Sequence, residues 1–275
     1  MGPFGRGGGR RSSGFKILPV LLFAMYGLYY FFSNRETVPL TGRKQLVEIS
    51  REQEAALGVQ SYRQILRQER VITSGQNAEL IRDIGRRISA VAEDPGFQWD
   101  FNLIDSPQVN AFCLPGGKVA VYAGILPVAK NADGLAAIMG HEIAHAIARH
   151  GAERMAHQKL VQIGTMAAGV AVSDMDPGQR QAVMGALGVG AQYGLLLPFS
   201  REHESEADYM GLVYLARACF DPTEAPKLWE RMGQASGGRG PAEFTSTHPS
   251  HETRIRQFQE WMPEALKIRQ EKCGG

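Results

Sequence analysis

Cysteine is scarce: 275 residues contain three, Cys113, Cys219 and Cys273. No pair has metal-knuckle spacing, which excludes a thiolate zinc module, and an odd number cannot all pair internally. A Cys219–Cys273 disulfide in an oxidising compartment and two inert thiols both remain open. Charge of one sign is also lacking. Thirty Lys and Arg stand against 28 Asp and Glu, a formal net charge of +2, so no general nucleic-acid or acidic-polymer binding is expected. No tandem repeat occurs, which excludes an appended helical-repeat array. Residues 1–16 lack any acidic residue and are rich in Gly and Arg, so they read as disordered. Histidine is rare too, at seven, and this makes the placement of two of them informative.

Taken in order, Ile17–Phe32 is an uncharged apolar run broken only by Pro19 and Gly27, with Tyr29, Tyr30, Phe31 and Phe32 at its far end. No A-x-A-like cleavage site follows it, no cysteine is placed for lipid attachment, and Arg6 argues against myristoylation. The run reads as an uncleaved transmembrane signal anchor, with the N-terminus in the cytoplasm and the body outside. A cleaved signal peptide and a mitochondrial presequence are its rivals. Residues 33–43 read as a linker, 44–269 as the folded domain and 270–275 as a tail. Arg51–Arg70 and Gln76–Glu93 are helical by pattern, the second closed by Asp94-Pro95-Gly96. Three strand signals follow: Gln98–Ile104, Val109–Leu114 and Lys118–Tyr122. The last two are joined at Pro115-Gly116-Gly117, so a small antiparallel sheet is expected. One sheet edge beside the next helix would suit an extended peptide, and a purely structural hairpin is the equal alternative.

That helix, Asp133–Met155, carries His141-Glu142-Ile143-Ala144-His145, with Asp133 as the expected N-cap. Histidines four apart on a helix lie about 40° apart around its axis, so both can reach one ion. Glu142 lies about 100° further round, placed to address an open metal position without ligating. H-E-x-x-H is the zinc-protease pattern with Glu as general base. His150 reads as structural, because Ala148 and Gly151 break the longer three-histidine pattern.

Lys159–Val172 and Ala182–Leu197 are apolar, Ala- and Gly-rich helices. Close packing under the active site is preferred to a hairpin in the bilayer. Pro198–Ala218 is a further helix capped by Ser200, and Glu202, Glu204 and Glu206 compete to be the third ligand. Glu204 shares a face with Asp208, so one can ligate while the other holds a ligand histidine. Glu202 and Glu206 read as solvated helix charge. Asp221–Gly233 and Glu252–Arg269 are also helical. His248, in Thr247-His248-Pro249, is either a surface residue or a group swung into the site.

The H-E-x-x-H stretch, Ser200-Arg201 leading to Glu204-Ser205-Glu206-Ala207-Asp208, and Thr247-His248-Pro249 stand in one order. With Thr41-Gly42-Arg43, Asn110-Ala111-Phe112 and Arg149-His150-Gly151, the chain resembles the membrane-associated zinc metallopeptidases that include HtpX, the CAAX prenyl endopeptidases, the Oma-type proteases and the periplasmic BepA and LoiP proteases. The resemblance is strongest to the compact, singly anchored members. It implies an α+β, mainly helical, zincin-like domain with one zinc on His141, His145 and Glu204, Glu142 as base and Asp208 as support. It further implies a substrate-facing strand at Asn110, Ala111 and Phe112, and a mobile His248 that shields or ligates the metal at rest or steadies the oxyanion. The function expected is a zinc endopeptidase held in the bacterial inner membrane with its domain in the periplasm, acting on misfolded or unassembled envelope proteins. The mitochondrial inner membrane is the alternative address, and a latent zinc-bound chaperone the alternative function.

Overall fold

The computed structural model describes residues 14–192, 196–235, 248 and 252–274. Along the chain run α1 (Gly14–Ser33), β1 (Arg35–Thr37), β2 (Lys44–Leu46), α2 (Arg51–Gln68), β3 (Val71–Ile72), α3 (Gln76–Ser89), β4 (Asp100–Ile104), β5 (Ala111–Leu114) and β6 (Lys118–Tyr122). Then come α4 (Leu126–Ala129), α5 (Ala132–Ile147), α6 (His150–Ala171), α7 (Pro177–Ala191), α8 (Leu197–Arg217), α9 (Glu224–Ala235) and a C-terminal helix, Glu252–Cys273. Two compact units result: Met1–Arg35 with Met155–Pro198, and Glu36–Arg154 with Phe199–Gly275.

In the first unit, α1 has Tyr30 buried, with the Lys159 ammonium of α6 5.0 Å from its ring centre. Leu18, Met25, Tyr29 and Phe32 stay more than 60% exposed. None of the helices among the described residues is long and apolar enough to cross a membrane. At the place of the expected anchor stands α1, an apolar helix with an exposed row. α7 buries none of its residues, so the close packing expected of the Ala- and Gly-rich stretch is not formed there.

In the second unit, a four-stranded sheet in the order β3-β4-β6-β5 lies between α2 on one face and α3 and α5 on the other. The β5–β6 hairpin is as expected, but the sheet is mixed: β4 runs parallel to β6, with Phe101 opposite Val119 and Leu103 opposite Val121. The physical reason is burial. Val119, Ala120 and Val121 expose nothing, so this most apolar strand takes a central place, covered on both faces. Residues 105–110 step across one strand position to allow it. Alternation then sends Val119 and Val121 to the main core and Ala120 and Tyr122 to a second cluster with Tyr62 of α2. The Tyr62 hydroxyl donates to the Val119 carbonyl at 2.7 Å.

Helix boundaries differ instructively from the sequence pattern. α2 opens with a capping box between Ser50 and Gln53. The N-cap of α5 is Asn131, whose side chain accepts from the Gly134 amide at 2.7 Å, while Asp133 accepts from the Asp221 amide at 2.8 Å. The expected single helix over 133–155 breaks after Ile147, where Arg149 takes φ +61°. Ser200 does not cap α8, because the helix begins a turn earlier at Leu197.

Candidate metal centre

Two helices build the site. α5 is apolar nearly all round and buried at thirteen of its sixteen positions, so its polar residues enter the core only with partners. α8 crosses it at Gly140 and Gly211. A Cβ on Gly211 would lie 3.0 Å from the His141 amide nitrogen, and one on Gly140 2.8 Å from Leu215 Cδ1. The missing side chains let the two backbones touch, which carries Glu204 and Asp208 to the histidine pair.

Four donors converge there. His141 Nε2 lies 3.0 Å from His145 Nε2, 3.3 Å from Glu204 Oε2 and 3.2 Å from His248 Nδ1. His145 Nε2 is 3.4 Å from Glu204 Oε1, and His248 Nδ1 is 2.9 Å from Glu204 Oε2. His141, His145, Glu204 and His248 thus form one group able to hold a metal ion. His141 Nδ1 is 3.0 Å from Asp208 Oδ1. Glu142 Oε1 is buried with no hydrogen bond among the described residues, and His248 Nε2 is 3.4 Å from it.

The electrostatics follow from this crowding. Burial opposes charge on His141, but Asp208 and Glu204 outweigh it and push the imidazolium up to about 9. Burial pulls His145 down to about 4. Glu204 is buried too, yet the surrounding histidines hold it far below the usual carboxylate range. Burial raises Glu142, the direction a general base at neutral pH requires.

The expected site residues His141, Glu142, His145, Glu204, Asp208 and His248 are brought together. Asn110, Ala111 and Phe112 lie at and on β5, an edge strand packed against α5. Ala111 faces the core, while the Phe112 ring meets Tyr62 at 6.3 Å on the opposite face. Behind the donors sit groups whose roles the sequence concealed. Glu206 is not solvated: it is buried and accepts from Thr41 Oγ1 and from Arg43 Nε at 2.8 Å. Glu202 is exposed, as expected. Arg43 also binds Glu153 through both terminal nitrogens, at 3.0 and 2.7 Å. His203 pairs with Glu153 at 2.8 Å, and His150 with Glu206 at 3.0 Å. Arg254 of the C-terminal helix grips Asp208 with two bonds of 2.6 Å and stacks 3.5 Å above the Trp229 ring. A basic residue six beyond His248 on a helix was the only available signal for Arg254. Cys219 and Cys273 are joined as a disulfide, which settles the two open readings of that pair. Cys219 has φ +62°, a conformation that favours glycine.

An H-E-x-x-H helix crossed by a second helix bearing glutamate and aspartate defines a zincin-type metallopeptidase. Residues 75–262 match the model of peptidase family M48, and the chain belongs to that family as a metalloendopeptidase. It is 41% identical over 249 residues to the mitochondrial metalloendopeptidase OMA1 of Schizosaccharomyces pombe, covering 89% of this chain and 71% of that one. The mitochondrial metalloendopeptidase OMA1 of Saccharomyces cerevisiae is 34% identical over 267 residues, 90% of this chain and 74% of its own. The β-barrel assembly-enhancing protease of Escherichia coli is 28% identical over 230 residues, 82% of this chain and 47% of its own.

Proposed function

We propose that the chain is a membrane-attached zinc endopeptidase that cleaves misfolded or unassembled membrane and envelope proteins. The observation that carries the reaction is the convergence of His141, His145, Glu204 and His248 with Glu142 beside them. Donor separations of 2.9–3.4 Å are close to those zinc requires, whose bonds of about 2.0–2.2 Å set tetrahedral ligands roughly 3.3–3.6 Å apart. His141, His145 and Glu204 would hold the ion, and when bound it would acidify a water and polarise the scissile carbonyl. Glu142, buried and with no hydrogen bond to Oε1 among the described residues, takes the proton of the attacking water and delivers it to the leaving amine. Asp208 fixes the ring of His141 from behind. The outer edge of β5, from Asn110 through Phe112, offers main-chain groups to an extended peptide.

The exposed apolar row of α1 attaches the enzyme to the bilayer. The OMA1 relatives are named mitochondrial, which favours the mitochondrial address over the bacterial one. The test is casein degradation by the purified full chain in detergent with zinc, beside Glu142→Gln. Cleavage by the native chain, stopped by a chelator and reduced about 10²–10⁴-fold in the variant, supports the reading. Equal rates from the two would overturn the role of Glu142.

A second reading rests on His248 completing a set of four protein donors, the arrangement of a closed site. It makes this form a latent state, with zinc-bound chaperone activity in place of turnover. His248→Ala would then release cleavage that the native chain lacks.

A further inference from the structure

The two histidines of the H-E-x-x-H pair are backed differently. Behind His141 stands a carboxylate, Asp208 Oδ1, 3.0 Å from Nδ1. Behind His145 stands another imidazole: His145 Nδ1 is 2.7 Å from His150 Nδ1. His150 Nε2 lies in turn 3.0 Å from Glu206 Oε2, and Thr41 and Arg43 bind the same carboxylate. His150 is buried, and its ring stacks on His203 at 4.1 Å with the planes 10° apart.

An unbroken helix would not allow this contact. Residues five apart are turned by about 140° and separated by about 7.5 Å along the axis. The break at Arg149 creates it. A non-glycine residue at φ +61° is strained, and the strain is held by a buried guanidinium bonded to Glu54 at 2.6 Å, to Glu36 and to the Ile49 carbonyl at 2.7 Å.

Proton placement along this line has one solution. A metal on His145 Nε2 needs that lone pair, so the neutral ring carries its proton on Nδ1. That N–H donates to His150 Nδ1, which must be the unprotonated nitrogen. The His150 proton is then on Nε2, where it donates to Glu206. Resting on the zinc reading above, we propose that His150 is a positioning residue for the metal centre: it fixes the tautomer and ring angle of His145 through a His145–His150–Glu206 line anchored by Arg43. One ligand histidine is thus held directly by a carboxylate, and the other through an intervening imidazole.

The test compares zinc affinity by chelator competition, and the visible spectrum after cobalt substitution, in the full chain and two variants. His150→Phe keeps the ring and its stacking on His203 but removes both nitrogens. His150→Asn gives up the ring, yet its Oδ1 takes the place of Nδ1 as acceptor. Positioning predicts that Phe costs about 10–100-fold in zinc affinity and shifts the cobalt bands, while Asn stays within about threefold. A purely structural role predicts the reverse order, and that order, or two unchanged affinities, would overturn the proposal. If the Phe variant fails to fold, His150→Gln replaces it, because its amide reaches the Nε2 position and leaves His145 without an acceptor. Equal losses in Asn and Gln would also overturn the proposal. A native chain that takes up no zinc would overturn the zinc reading itself, and shows at the first titration.

Discussion

Arg254→Met is the perturbation whose size the structure sets most directly. Arg254 and Asp208 are both buried, and two bonds of 2.6 Å join them. Burial alone would raise Asp208; Arg254, followed by His141, more than reverses this and keeps it ionised. Methionine preserves most of the packing against Trp229 while removing the charge. Among the described residues, the partner left to the buried Asp208 carboxylate is then the imidazolium of His141 at 3.0 Å. Breaking one side of a buried pair costs about 3–5 kcal/mol when the other charge is left uncompensated; the His141 imidazolium offsets part of this, so a cost of about 3 kcal/mol is expected. For a domain of this size, that lowers the melting temperature by roughly 6–12 °C. Urea and thermal unfolding of the metal-free full chain at pH 7 measure it. The reasoning makes a second demand: Arg254→Met with Asp208→Asn should recover a large part of the loss, because no charge is left stranded. A single variant within 1 kcal/mol of the native chain, or a double variant that loses the sum of its parts, would refute it.

Metal uptake should release protons with a definite sign. His141 is pushed up to about 9, so in the metal-free protein it is protonated at pH 7, whereas His145, at about 4, is not. Zinc binding at pH 7 should therefore expel about one proton from His141, and affinity should rise roughly tenfold per pH unit until about pH 9 and then level. Calorimetry in buffers of different ionisation enthalpy reads this, and no release would contradict it. The Cys219–Cys273 bridge closes a separation of 54 residues. Reducing it, or making Cys273→Ser, should cost about 2–4 kcal/mol in a melt, and an unchanged midpoint would show that the bridge constrains nothing. Gly211→Ala puts a Cβ 3.0 Å from the His141 amide, so it should cost about 1–3 kcal/mol and weaken zinc binding, both measurable on the same sample. A stable variant with native zinc affinity would mean that the helix crossing tolerates the extra methyl.

Spacing along a helix reveals which residues share a face, and this is why the donors were legible. His141 and His145 are four apart, as are Glu204 and Asp208, and one helix crossing brings the two pairs together. The Pro115-Gly116-Gly117 hairpin was legible too, since Gly116 and Gly117 both take positive φ. Strand order was not, because it depends on which strand the core buries most deeply, a comparison that no local pattern contains.

What covers a helix face is equally invisible to spacing, and Glu206 shows the consequence. By periodicity it sits with Glu202 on a face away from Glu204, which reads as solvated charge. In the fold Glu202 is exposed, but Glu206, one turn on, is met by Thr41 and Arg43 from more than 160 residues away and by His150 from beyond the broken helix. A carboxylate becomes buried when the rest of the chain brings it cations and donors, and those partners here lie far off in sequence. Arg149 follows the same logic. The helical pattern carried it within a continuous helix, yet Glu54 and Glu36 draw it inward and the helix turns at that point. The residues whose donors can hold a metal were written locally. Those that aim them were written across the whole length of the chain, so the tautomer of His145 depends on a strand-flanking arginine that no helical pattern would connect to it.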